Sequence, residues 1–203
     1  MSEFQFAAQN LEMRQLNALV KKLGGEDVVR GILADRMLFE ITERELLAPL
    51  DPITIRPVGL CKAQNSLKTC PGLYVYATFT DRVLPAVQGE VSLPEEITLP
   101  SYTLTERAAD KRIRENLPEN HVFGADELCA ILIDLVIKSQ PNGTEGPLLT
   151  NSYANLFYVK GKDDHVCLVV VRWSADYRGW SVLAWSLDAY TWNAEYRVFS
   201  RNC

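Results

Sequence analysis

The sequence predicts an α+β protein with an N-terminal helical hairpin, a Pro-rich β-containing middle, and a C-terminal helix packed on an antiparallel β-meander. Three observations carry this expectation. Apolar residues recur at helical spacing near the N-terminus and stop at Gly24-Gly25. Pro52, Pro57, Pro71, Pro85, Pro94 and Pro100 then punctuate a strand-like region. After Gly146, turn residues alternate with runs rich in Val, Trp, Tyr and Phe.

The boundaries follow from these shifts in pattern. Residues 1–36 hold the hairpin: Leu11, Leu16, Leu19, Val20 and Leu23 lie near helical spacing. Gly24 or Gly25 takes the left-handed turn, and Glu26 and Asp27 put negative charge at the start of a second helix carrying Val28, Val29, Ile32 and Leu33. Residues 37–120 form the middle, where "MLFEIT", "ITIRPVGL" and "GLYVYATF" read as short strands and "LTERAADKRIREN", residues 104–116, as a helix ended by Pro118. Residues 121–203 open with Leu128 to Ile137, apolar nearly all round and so a buried helix, and continue as the meander. Both alternating sets of "HVCLVVVRW" are largely apolar, which places it as a central strand covered on both faces. "LLTNSYANLFYV" reads as a two-residue hairpin turning at Asn151-Ser152.

Composition narrows the function. The 203 residues are 47% hydrophobic and 23% charged, the balance of an ordinary globular chain. A net charge of -5 gives no general attraction for phosphate, so nucleic acid is not the favoured partner. "MSEFQFAAQN" lacks the basic and apolar segments of a secretory signal, and no run approaches the roughly 20 apolar residues a membrane span needs. Cys61, Cys70, Cys129, Cys167 and Cys203 contain no C-x-x-C pair, and reduced thiols in a cytoplasmic protein are the expectation, with a Cys61–Cys70 disulfide as the alternative.

The segments "QPNGTEGPLLTNSYANLFYV", "VVVRWSADYRGWSV" and "RVFSRN" resemble a group of uncharacterised bacterial proteins that share the pattern LLTN-x-YANLFYV, GWSV and RVFSRN, and that often read Asn-Gly at Asn151-Ser152. The resemblance covers residues 126–202 best. It implies a shared domain and carries over no catalytic residue.

The residues suited to chemistry are scattered. Asp134, inside "AILIDLVIK", and His165, two residues from Cys167, are the candidates for a small hydrolase or transferase; a carboxylate at the edge of the core and a core cysteine beside a turn histidine are the structural alternatives. Residues 11–36 loosely suggest a helix-turn-helix, but Glu26, Asp27 and Asp35 mix with Arg30 and Arg36 on the second helix. No metal, cofactor or phosphate-loop motif is present. Aromatics, by contrast, crowd the last strands. Trp180 and Trp185 fall on opposite faces of one strand, and with Tyr177, Trp192 and Arg178 they form the expected binding set, against core and cross-strand packing as the plainer account. The expectation is a non-enzymatic module for another protein or a small ligand, acting as an accessory or regulatory factor.

Overall fold

A computed structural model describes residues 13–33, 45–188 and 190–201. The chain divides into two compact units, 1–43 and 44–203. In the first, helix α1 (Met13–Lys22) and helix α2 (Glu26–Leu33) are separated by Leu23, Gly24 and Gly25. The Gly25 N–H reaches the Val20 carbonyl at 2.9 Å and the Gly24 N–H that of Lys21 at 3.3 Å, with φ of 99° at Gly24 and 101° at Gly25. That arrangement closes the helix by satisfying carbonyls its last turn would leave unpaired. Leu11 and the segments "MLFEIT" and 34–36 lie outside the described residues, as does Cys203.

The second unit is built on an eight-stranded mixed sheet. Its path runs β1 (Leu47–Pro49), β7 (Ser101–Leu104), β14 (Arg197–Phe199), β10 (Asn155–Lys160), β11 (Val166–Ser174), β12 (Gly179–Ser186) and β4 (Leu73–Val75), with β9 (Phe123–Gly124) also paired to β10. Strands β10, β11 and β12 form the expected antiparallel run. The sheet as a whole is mixed, not antiparallel: β14 and β9 lie parallel to β10, and β4 lies parallel to β12. Strands of the middle region and of the C-terminal third therefore share one sheet.

Two apolar clusters cover the two faces. On one side Phe157, Val159, Val169, Val171, Trp180 and Val182 meet helix α6 (Ala125–Leu132) and the small sheets formed by β2 (Ile53–Ile55) with β6 (Ile97–Leu99) and β3 (Val58–Cys61) with β5 (Val91–Leu93). On the other, Leu156, Tyr158, Leu168, Val170 and Val198 meet Leu104, Ile113, Leu117 and Trp192. Strand β11 is thus buried on both faces, as its sequence implies.

Short helices α3 (Ala63–Ser66) and α4 (Ala77–Arg82) follow β3 and β4, and two later helices differ from expectation. Residues 104–116 are helical only over α5 (Asp110–Glu115), because β7 and β8 (Ala108–Ala109) claim the preceding residues; the Leu104 N–H bonds the Tyr196 carbonyl at 2.9 Å and Ala108 pairs with Trp192 of β13 (Thr191–Trp192). Pairing partners far along the chain override helix propensity there. Helix α6 begins at Ala125 and widens into a π-helical segment over Ile133–Ser139, closed by the Gln140 N–H on the Leu135 carbonyl at 3.0 Å.

The loop from Gln140 to Asn155 is held by side chains. The buried Gln140 amide accepts from the Leu148 N–H at 2.8 Å and donates to the carbonyls of Thr144 and Leu148 at 2.7 and 3.2 Å. The buried Asn155 amide accepts from the Leu149 N–H at 2.9 Å and donates to the carbonyls of Leu149 and Val171 at 3.2 and 3.1 Å. Gly143 lies against Trp173, where a Cβ would stand 2.2 Å from the indole. The expected hairpin at Asn151-Ser152 is not formed, because the Leu148–Thr150 arm bonds these amides and not a facing strand. Ser152 nonetheless has φ of 69°, and the Asn151 side chain accepts from the Tyr153 N–H at 3.2 Å.

Two stability changes follow. Ser152→Gly removes the strain of a left-handed serine and should stabilise the second unit by about 0.5 to 1 kcal/mol in urea unfolding. Asn155→Asp turns two donors into acceptors facing carbonyls and buries a charge, and should cost about 3 to 5 kcal/mol by the same measurement.

Candidate functional site

The binding set expected from sequence is divided between the two faces of the sheet. Register pairs Trp173 with Trp180 and Trp180 with Leu73, on the side of helix α6, whereas Arg172, Ser181 and Tyr74 lie on the opposite face. Trp180 is only 1% exposed, and its indole N–H donates to the Gln140 carbonyl at 2.6 Å. Trp192 is buried with its indole N–H on the Asp110 carboxylate at 2.8 Å. Trp185 is half-buried and stacks edge-on with Tyr190 at 4.7 Å. Tyr177 and Arg178 lie exposed in the turn between β11 and β12, with Arg178 at φ of 47°.

The structure brings Tyr177 and Trp180 together with residues the sequence reading did not select. A cleft of about 410 Å³ opens where β12 meets the edge strand β4; Tyr74, Tyr76, Tyr177, Ser174, Ser181 and Cys70 line it, along with Gly72, Leu73, Gly179 and Trp180. Tyr74 is 54% exposed, Tyr76 43% and Tyr177 88%. The Tyr74 and Tyr76 rings meet edge to face at 4.7 Å. Their origin is local: "LYVY" alternates, so Leu73 and Val75 enter the core while Tyr74 and Tyr76 share the open face. That alternation was the available signal, but only the pairing of β4 with β12 puts it beside Tyr177.

The base of the cleft is fixed. The Trp180 N–H bonds the Gly72 carbonyl and the Tyr76 N–H the Val182 carbonyl, each at 2.9 Å. On the outer side of β4 the Thr69 hydroxyl donates to the Val75 carbonyl and accepts from its N–H, both at 3.1 Å, while Cys70 and Leu73 exchange two bonds of 2.9 Å. These contacts occupy the edge that would otherwise template another strand.

A second cleft, about 380 Å³, is lined by Asp81, Arg82, Lys162, Asp163, His165, Cys167 and Ser186, among others. His165 and Cys167 do share it. Burial pushes the Cys167 thiol up to about 11, against a smaller lowering by Arg82, so it is not a thiolate at neutral pH. Among the described residues no hydrogen bond joins the His165 ring to that thiol or to a carboxylate. Asp134 lines neither cleft. Its buried carboxylate accepts from the Arg56 N–H at 3.0 Å and from the Ser139 hydroxyl at 3.4 Å, tying the segment between β2 and β3 to the π-helical turn.

A third cluster was missed because "ADKRIRE" reads as a solvated helix. Asp110 is 1% exposed, and its carboxylate accepts from the Tyr158 hydroxyl at 3.1 Å, the Trp192 indole at 2.8 Å and the Asp188 N–H at 2.8 Å. Burial raises its pKa despite these donors. His121 stands edge-on to Tyr158 at 5.6 Å, with Nδ1 2.7 Å from the Pro118 carbonyl and Nε2 3.4 Å from Arg114 Nε. A proton on Nδ1 and a lone pair on Nε2 satisfy both contacts, so the ring sits neutral, and burial lowers its pKa. The group joins α5 to the sheet and is closed to solvent.

No protein family, curated protein or solved structure matches this chain. Among the described residues no group of His, Cys, Asp or Glu has the arrangement of a metal site, and no helix is long and apolar enough to cross a membrane.

The His121 environment gives a pH dependence of definite sign. Below its ordinary value of 6.5 the unfolded chain takes up a proton that the folded chain refuses, so stability should fall as pH drops from 6.5 toward the lowered folded value. Asp110, raised above 3.8, works in the opposite sense, adding stability as pH falls from its raised folded value toward 3.8. Urea unfolding of wild type and His121→Gln from pH 7 to 5 should show the wild type losing stability faster; parallel curves would contradict the neutral ring.

Proposed function

We propose that the second unit is a non-enzymatic binding module, an accessory or regulatory factor of the cytoplasm, and that its contact surface is the tyrosine cleft. One observation carries the reading: Tyr74, Tyr76 and Tyr177 stand between 43% and 88% exposed around a concavity whose base is hydrogen-bonded in place. Large aromatic side chains held in the open around a pocket supply contact area at low entropic cost, which is the usual design of a recognition site.

The dispersal of the chemistry-bearing residues supports the same reading. Asp134 serves as a tie between segments, and Cys167 is held as a thiol beneath its cleft. Cys61, Cys70, Cys129 and Cys167 are free, which suits a reducing compartment. Helices α1 and α2, read as a hairpin, would contribute a further contact element, since Glu26 and Asp27 at the start of α2 oppose approach to a phosphate backbone.

Affinity capture from native-cell extract with wild type and with the double variant Tyr74→Ala, Tyr177→Ala tests the proposal. Both side chains are exposed, so the variant should unfold at the same temperature as wild type. It should lose the species that wild type retains; equal retention by both proteins would remove the cleft from the account.

A further inference from the structure

We infer that the cleft takes a proline-rich segment of a partner protein in the polyproline II conformation. This rests on the binding reading above and names its ligand class. The decisive feature is the chemistry of the walls. None of the described residues that line the cleft is charged. A phosphate or carboxylate entering it would lose water without meeting an opposite charge in the lining, and that desolvation is costly; an ammonium group would meet aromatic faces but no carboxylate to pair with it. The walls therefore suit an occupant that is uncharged where it enters.

What the walls do offer is aromatic faces and hydroxyls. Tyr74, Tyr76 and Tyr177 supply both, and Ser174 and Ser181 add hydroxyls that rotate to suit an acceptor. The indole N–H of Trp180 is already committed to Gln140, so donation falls to the hydroxyls. A polyproline II segment is the complement: its pyrrolidine rings lie on aromatic faces, and its carbonyls point outward with no internal hydrogen bond. Because the conformation is largely preformed, binding orders little.

Two other occupants fit less well. A strand added beside β4 is opposed by Thr69 and Cys70, which hold the backbone groups of Val75 and Leu73. A saccharide would also lay a C–H face on the tyrosines, but neighbouring sugar hydroxyls are held best by side chains with paired donors or acceptors. The described lining contains no carboxylate, side-chain amide or guanidinium.

The test is a titration of the uniformly ¹⁵N-labelled full chain followed by amide shifts. One arm uses pooled ten-residue peptides with a Pro-x-x-Pro core, a second the same pool with alanine for proline, and a third linear neutral oligosaccharides. The proline pool should move the amides of residues 72–76 and 174–181 while the alanine pool does not. Tyr177→Ala should weaken that binding about tenfold, and Tyr177→Phe, which keeps the ring, less. Shifts from the oligosaccharides alone, or equal shifts from both peptide pools, would overturn the ligand class while leaving the cleft a binding site. No shift in any arm would defeat the proline-rich ligand, whereas the cleft as a binding site falls only if wild type and the double tyrosine variant retain the same species in affinity capture.

Discussion

Two buried side-chain amides do the work of a missing strand. Between the π-helical turn and β10 the chain crosses 15 residues without regular structure, and a buried backbone there would carry unpaired polar groups. Gln140 and Asn155 supply the partners, each accepting from one backbone N–H and donating to two carbonyls. An amide can do this because it carries donor and acceptor in the geometry of a peptide bond. Removing one would strand several groups whose desolvation costs about 1 to 3 kcal/mol each.

The constraint reaches the surface through Trp180. Its indole is anchored to the Gln140 carbonyl, its own N–H to Gly72, and its ring packs edge to face on Trp173 at 5.4 Å, beneath Gly143. The loop, the paired tryptophans and the edge strand β4 therefore share one set of contacts. Tyr74, Tyr76 and Tyr177 project from that assembly, so the cleft can stay open without sacrificing the core beneath it. On the other face the Asp110 carboxylate plays a comparable part, gathering Tyr158, Trp192 and the backbone of Asp188 around the start of α5.

Local pattern made some of this legible. The two-sided apolar character of "HVCLVVVRW" announces a central strand, and period-two alternation separates Trp180 from Trp185. Gly24-Gly25 marks the end of α1 because the closing turn needs residues with positive φ. Pairing over long separations was not legible. Nothing local to "RVF" says that it runs parallel to β10, or to "LYV" that it borders β12. The polar run from Thr150 to Asn155 reads as a turn; Ser152 does turn left-handed, but Asn155 is a buried clamp. The tyrosine cleft escaped for the same reason as the parallel pairs, since its two halves meet only once β4 reaches the sheet edge.

The amides of Gln140 and Asn155 make an irregular loop as firm as the sheet beside it. Native-state hydrogen exchange of the Leu148 and Leu149 N–H groups tests this most directly, because each donates only to one of those side chains. Protection of both amides comparable to that of β10 and β11 is the predicted result. Exchange as fast as that of an exposed loop would contradict the account.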